Sequence, residues 1–170
     1  MRFTRRLSLI LLYAMSGTVS TALAQSPDIP NRSEPLPGIT SAGQPSAEAL
    51  AALAEEGYTT VVDLRSEQED RGFDEASTVE GLGMRYLSLP VAGGENVSYE
   101  NAAALDRILA EVEGPVLLHC ASGNRVGALL SLRAALNGTD KEEAMALGTS
   151  AGLTSLQPLV ERLLNEEPPQ

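Results

Sequence analysis

The stretch Val116-Leu117-Leu118-His119-Cys120-Ala121-Ser122-Gly123-Asn124-Arg125-Val126-Gly127-Ala128 brings a nucleophile, a permanent cation and a glycine turn within a few residues of each other. An apolar, β-type run carries the chain's one cysteine to its end, a short polar turn follows, and a helical pattern runs from Gly127 to Leu136. Strand, loop and helix in that order aim backbone N–H groups and a helix N-terminus at one spot. An anion bound there meets the Cys120 sulfur and the Arg125 guanidinium, and the helix end and Arg125 both favour thiolate over thiol. The chemistry this permits is attack by sulfur on an anionic group, with a covalent intermediate. The competing readings are an inert thiol in the core for Cys120 and a surface ion pair for Arg125. The Gly-Asn-Arg turn and the helix directly after it argue against the first.

Other candidate groups are sparse. His119 is the only histidine and Cys120 the only cysteine, so no Cys/His cluster exists and no metal or other cofactor is expected. His119 reads as a structural residue that hydrogen-bonds neighbouring backbone. Asp63 and Arg65 follow a strand and suit either the same rim or a surface pair, while Glu67-Gln68-Glu69-Asp70 reads as a solvated face. Gly148-Thr149-Ser150-Ala151-Gly152 reads as a helix junction and not a phosphate loop, because no strand or lysine accompanies it.

The elements that position these groups alternate. A helix opens at Pro45 or Ser46, buries Leu50, Leu53 and Ala54 and closes at Gly57. Thr59 to Leu64 is a short β-branched strand. Ser66 to Ala76 is highly charged, and Ser77 to Leu82 suits a short helix. Tyr86 to Leu89 is a strand stopped by Pro90, and Ala92 to Asn96 is a flexible loop. Ser98 caps a helix over Tyr99 to Val112, with Leu105, Ile108, Leu109 and Val112 on one face. Gly114-Pro115 turns into the strand that ends at Cys120. Two further helices are expected, over Asp140 to Leu147 and Thr154 to Leu164, and Glu166 to Gln170 should fray. The fold class is therefore α/β: a single domain with a mainly parallel central sheet flanked by helices. In such sheets ligands sit at the carboxyl ends of the strands, where Cys120 falls.

The chain opens with Arg2, Arg5 and Arg6, an apolar run from Leu7 to Met15, and Ala22-Leu23-Ala24. That is the pattern of a secretory signal peptide over residues 1–24, with cleavage after Ala24 and a periplasmic or secreted product. Removing it leaves 146 residues, enough for one domain with its own core. Residues 25–38 contain Pro27, Pro30, Pro35 and Pro37 and read as a loosely held, extended arm, so the folded domain is expected over 39–166. All 23 acidic residues but only nine of the 12 basic ones remain, a net charge near −14. Such a surface disfavours nucleic acid and anionic membranes, and no membrane partner is expected after signal cleavage. It also makes a positive pocket around Arg125 stand out.

The Cys120 stretch, read as H-C-x-x-G leading to Arg, resembles the active loop of cysteine-dependent phosphatases. Thr40-Ser41-Ala42-Gly43-Gln44-Pro45-Ser46 and Glu56-Gly57-Tyr58-Thr59-Thr60-Val61-Val62-Asp63-Leu64-Arg65 extend the likeness. Together they resemble the phosphatase-like domain of the bacterial beta-lactamase hydrolase-like family, which has a dual-specificity-phosphatase fold. The likeness runs from about Ser41 to Ala135. It implies that Cys120 is the nucleophile, that Arg125 binds phosphoryl oxygens bidentately, and that the backbone of Ala121, Ser122, Gly123, Asn124 and Val126 completes an anion cradle. His119 would act behind it.

Two departures from the phosphatase pattern matter. The usual spacing is C-x5-R, whereas only Ala121 to Asn124 separate Cys120 from Arg125, a C-x4-R spacing similar to that of rhodanese-type sulfurtransferases. Val126 also stands where phosphatases usually have a hydroxyl residue. The loop after the Pro90 strand, which usually supplies an aspartic acid, offers only Glu95, made mobile by Gly93-Gly94. Without an acid, proton delivery to the leaving oxygen, worth about 10²–10⁴-fold, is lost. The leading expectation is an exported phosphatase acting on phosphorylated or other anionic substrates. Sulfur transfer on the same cysteine and a non-catalytic anion-binding module are the alternatives.

Overall fold

The computed structural model describes residues 29–166. The expected signal peptide, its cleavage point, arm residues 25–28 and the end of the chain at 167–170 lie outside the described residues. Among the described residues five strands, β1 (Ser33–Leu36), β2 (Ile39–Ala42), β3 (Thr60–Asp63), β4 (Arg85–Ser88) and β5 (Val116–His119), form one sheet in the order β1-β2-β5-β3-β4. The β1–β2 hairpin is antiparallel; the pairs β2–β5, β5–β3 and β3–β4 are parallel. Among the described residues six α-helices flank the sheet: α1 (Ala47–Glu55), α2 (Glu75–Gly81), α3 (Tyr99–Ala110), α4 (Asn124–Leu136), α5 (Lys141–Ser150) and α6 (Gln157–Asn165).

The central strands alternate their side chains between two cores, as a pleated strand must. Val61 and Leu117 point to the face covered by Leu50 and Leu53 of α1 and Val79 of α2. Val62 and Leu118 point to the other face, which packs against Leu105 of α3, Leu129, Leu130 and Leu132 of α4, Ala144 of α5 and Val160 of α6. Short polar side chains start the helices. Ser46 accepts from the Ala49 N–H at 3.2 Å, Ser98 from the Asn101 N–H at 3.3 Å, and Asp140 from the Glu143 N–H at 2.9 Å. Each cap satisfies a donor that the first helical turn leaves free.

Three expectations change. Part of the arm is built into the domain: Ser33–Leu36 is the edge strand β1, and Ile29 is buried. The prolines hid this strand, because an edge position tolerates a missing N–H. Helix α2 begins at Glu75, capped by Asp74, not at Ser77. Helix α4 begins at Asn124, three residues before Gly127, because Gly123 adopts φ +85° and ends the loop abruptly. The small-residue junction at the end of α5 has a packing reason. A Cβ at Gly148 would run into Ser131 Oγ and come within 2.7 Å of the Gly127 carbonyl oxygen, so α4 and α5 meet backbone to backbone.

Candidate active site

Strand β5 is buried along its whole length and delivers Cys120 to the carboxyl edge of the sheet. Cys120 is 1% exposed, and its N–H donates to the Ala42 carbonyl at 3.4 Å, a loose extension of the β2–β5 ladder. The loop then turns over the sulfur, and the Gly123 N–H donates to Cys120 Sγ at 3.1 Å. One cradle amide therefore already faces the nucleophile, close to the start of α4. Ala121 and Ser122 are exposed on the rim, and the Val126 side chain is wholly in the core, so only its backbone can serve a ligand. Asn124 turns away from the sulfur: its Oδ1 accepts from the Thr154 N–H at 2.8 Å and its Nδ2 donates to Ser155 Oγ at 2.7 Å, pinning the α5–α6 connection.

Arg125 comes from the first turn of α4, and Glu69, expected on a solvated face, grips it. Arg125 Nη1 and Nη2 donate to the two carboxylate oxygens of Glu69 at 2.6 Å each, and Nη1 also donates to the Val91 carbonyl at 2.9 Å. These bonds use both Nη1 hydrogens and one Nη2 hydrogen, leaving the Nη2–Nε edge as a fork for an anion. Hydrogen bonding to Arg125, against the opposing effect of burial, pulls Glu69 down to about 2. Arg125 is raised in turn by its bonds to Glu69 and, beyond the cost of burial, by the charge of Cys120.

Behind the cysteine lies a buried ionic cluster. His119 faces carboxylates and not the backbone partners expected for it: its Nε2 lies 2.7 Å from Glu75 Oε1 and 3.9 Å from Asp63 Oδ1. The closer pair is not aligned for a hydrogen bond, so it is a charge contact, attractive when the imidazole is protonated. Asp63 and Arg65, expected on the rim or surface, are both buried. Asp63 accepts from the Arg65 N–H at 2.8 Å, Arg65 Nε at 3.0 Å, Arg71 Nε at 2.8 Å and the Tyr86 hydroxyl at 2.9 Å. Arg65 Nη2 also donates to Glu75. Burial pushes the Asp63 carboxyl up, but hydrogen bonds from Arg65 and the charges of His119 and Arg65 outweigh it and hold it at about 2. Burial and the Asp63 charge push the Tyr86 phenol up to about 12. Arg71 further donates to the carbonyls of Arg65, Ser66 and Glu69, so it shapes the loop that presents Glu69.

Asp63, Glu75 and His119 place three ligand atoms within 4.8 Å of one another, the donor set of a divalent-cation site. The charges do not fit one. Two guanidinium groups already balance the two carboxylates, and a further double positive charge would be uncompensated in a dry interior. The third predicted catalytic residue, Glu95, makes no hydrogen bond or ion pair with Cys120 or Arg125. It is exposed on a single 3-10 turn (Gly94–Asn96) and makes no hydrogen bond or ion pair among the described residues. Its carboxylate folds over Gly93, where a Cβ would lie 2.7 Å from Glu95 Oε2.

Glu69, Arg71 and Glu75 were missed because nothing local in a charged run distinguishes a site residue from a solvated one. A usable signal was topological. The run follows β3, and loops at the carboxyl ends of neighbouring parallel strands converge.

The geometry agrees with comparisons to known proteins. The sequence pattern of a family described as "DSP-PTPase phosphatase fused to NAD+ Kinase" matches residues 24–157. Beta-lactamase hydrolase-like proteins of Xylella fastidiosa and Agrobacterium fabrum are each 33% identical, over 115 and 104 residues, or 65% and 59% of this chain. The chain spans about a quarter of the length of these relatives, 26% and 24%. P. aeruginosa TpbA, solved as a cysteine-to-serine variant in complex with phosphotyrosine, is 27% identical with a TM-score of 0.63, covering 86% of this chain and 91% of that one. The active form of Tk-PTP, 19% identical with a TM-score of 0.60, shares the fold over 81% of this chain and 98% of its own. With its cysteine at the end of a parallel strand and its arginine on the following helix, the chain belongs to this DSP-PTPase phosphatase family and carries a cysteine-dependent phosphatase-like domain.

Proposed function

We propose that this chain is an exported phosphatase that hydrolyses phosphomonoesters, aryl esters foremost, through a phosphocysteine at Cys120. The observation that carries the proposal is the joint placement of Cys120 Sγ under the Gly123 N–H and of Arg125 in the grip of Glu69. The sulfur attacks phosphorus, the P–O bond to the leaving group breaks, and the Arg125 fork and loop amides hold the phosphoryl oxygens. Water then cleaves the P–S bond, releasing phosphate and restoring the thiolate. Phosphotyrosine bound to TpbA supports an aryl phosphate as the substrate class. So does the exposed position of Glu95: an aryl leaving group needs less protonation, and Glu95 would have to swing in about Gly93 and Gly94 to act as the acid. Export rests on the Arg2, Arg5 and Arg6 cluster, the Leu7 to Met15 run and Ala22-Leu23-Ala24. With one cysteine there is no internal disulfide to form in an oxidising compartment.

The short C-x4-R spacing favours a second reading, sulfur transfer. There Cys120 attacks the sulfane sulfur of a thiosulfate-like donor, sulfite leaves, and the persulfide passes its outer sulfur to cyanide or a thiolate. One pair of assays separates the readings. Protein beginning at Gln25 is given an aryl phosphate and, separately, thiosulfate with cyanide. Phosphate release that is abolished in Cys120→Ser and Arg125→Ala is the expected result; thiocyanate formation without phosphate release refutes the phosphatase reading. Export is checked by fractionating cells that express the whole chain: a product beginning at Gln25 outside the cytoplasm is expected, and uncleaved cytoplasmic protein refutes it.

A further inference from the structure

Asn31 lies in the arm that the sequence presents as loosely held, 91 positions before the residue it touches. Its Nδ2 donates to the Ser122 carbonyl at 3.1 Å, on the outer side of the Cys120 loop. The contact is built and not incidental. Ile29 anchors the arm in the core, and the Gly43 N–H donates to the Pro30 carbonyl at 2.7 Å. Gly43 also forms an isolated antiparallel bridge with Ser122, and the Gln44 N–H donates to the Ala121 carbonyl at 3.3 Å. Arm and loop close tightly on Gly43: a Cβ there would lie 3.0 Å from the Ala121 carbonyl oxygen and 3.2 Å from Pro30. Asn31 itself has φ +54°, the one non-glycine residue with positive φ among the described residues. Asparagine is among the few side chains that adopt this conformation readily.

The consequence follows from peptide planarity. In a trans peptide the C=O and the following N–H point in opposite directions, and no cis peptide occurs among the described residues. The Ser122 carbonyl and the Gly123 N–H belong to one such plane. Holding the carbonyl outward on Asn31 turns the N–H inward, onto Cys120 Sγ at 3.1 Å. We infer that Asn31 is a positioning residue for the anion cradle: it fixes the Ser122–Gly123 peptide with its N–H toward the Cys120 sulfur and toward the group transferred to it. The inference rests on Cys120 being the nucleophile, but not on whether phosphorus or sulfur is transferred.

The test uses three variants and a readout that needs no turnover, the rate of Cys120 alkylation by iodoacetamide as a function of pH. Asn31→Gly keeps the positive φ at no steric cost and removes only the side-chain donor. Asn31→Asp keeps shape and backbone preference but sets a carboxylate oxygen against the Ser122 carbonyl, which favours the flipped peptide. Arg32→Gln loosens the same arm elsewhere, by removing the 2.8 Å pair with Glu56, and leaves the loop contact intact. The pH of half-maximal alkylation is expected to rise by about half a unit to one unit in Asn31→Asp, less in Asn31→Gly, and not in Arg32→Gln. Aryl phosphate turnover, where present, should fall about three- to tenfold in the same order. Profiles that coincide with the parent in both Asn31 variants, with or without a loss of thermal stability, overturn the inference. So does an equal rise in Arg32→Gln, which would make the effect one of general loosening. A shifted alkylation profile in a protein that hydrolyses no phosphate would leave the inference standing and refute the phosphatase reading alone.

Discussion

Glu69→Gln is the sharpest test of how the cation is prepared. Glu69 is drawn from an ordinary value of 4.5 to about 2, chiefly by two 2.6 Å hydrogen bonds from Arg125. At 1.36 kcal/mol per pH unit that fall is worth roughly 3 kcal/mol. The Glu69 side chain is 31% exposed, so solvent screening brings the usable coupling to about 1–2 kcal/mol. The glutamine variant keeps the shape but sets an NH₂ donor against an Arg125 donor. One amide oxygen can still accept from an Arg125 Nη, beside the Val91 carbonyl, but the two-point grip is lost, and the Nη2–Nε fork is free to rotate off the anion. For an aryl phosphate, kcat/KM should fall about tenfold, the factor that about 1.4 kcal/mol of lost transition-state binding gives. Steady-state kinetics at pH 6–7 is the assay, with inhibition by inorganic phosphate measured alongside. An unchanged kcat/KM would refute the positioning argument. A raised kcat/KM with tighter phosphate inhibition would refute it more pointedly, by showing that Glu69 competes with the substrate for Arg125.

Three other outcomes are expected. Asp63 is held at about 2 against an ordinary 3.8, so its ionised form contributes stability that is complete above about pH 4 and is lost as pH falls toward 2; denaturant unfolding at pH 6, 4 and 2.5 should show a loss of about 2 kcal/mol, and an Asp63→Asn protein that is equally sensitive to acid would contradict this. Gly148→Ala, a change that usually stabilises a helix by about 1 kcal/mol, should here destabilise by about 1–3 kcal/mol, since the added Cβ meets Ser131 and the Gly127 carbonyl; a raised melting temperature would show that α4 and α5 can part cheaply. If Glu95 is the acid, Glu95→Gln should cost more for alkyl than for aryl phosphates, and small, equal losses on both would make it a solvated loop residue.

How much could be read in the sequence depended on the range of each interaction. The strand-loop-helix around Cys120 is local, and so are the helix starts at Ser46, Ser98 and Asp140; all were legible. The hairpin of β1 and β2 was not. Ser33, Glu34 and two nearby prolines read as an arm, and Ile39-Thr40-Ser41-Ala42 looks too polar for a buried strand. Its hydroxyls are satisfied from afar, Ser41 by the Ala151 carbonyl at 2.6 Å and Thr40 by the Tyr58 hydroxyl at 2.6 Å. The ionic partners failed for the same reason. Glu69 meets Arg125 across 56 positions, and Glu75 of α2 meets His119 at the end of β5. Charge composition alone cannot separate a solvated acid from one that is gripped.

The two ionic groups share one segment, and this gives the buried one a reason to exist. A buried ion cluster is weak evidence for stability, since packed apolar residues often serve as well or better. Here the cluster shapes chain: Arg71 ties Asp63 to the carbonyls of Arg65, Ser66 and Glu69, and the Ser66 N–H in turn donates to Glu69 Oε1 at 2.9 Å. The 65–71 loop is therefore fixed at its base by buried charge and reaches Arg125 with one aimed carboxylate. An apolar substitute for Asp63 and Arg65 could fill the volume but would offer no donors or acceptors to the loop backbone. Glu69 would then lose its aim before the fold lost its stability. The same division applies on the other side of the cysteine, where Asn31 and Gln44 hold loop carbonyls outward. A short C-x4-R loop has few residues with which to orient its own amides. The surrounding chain supplies the missing constraints, from an arm on one side and a charged loop on the other.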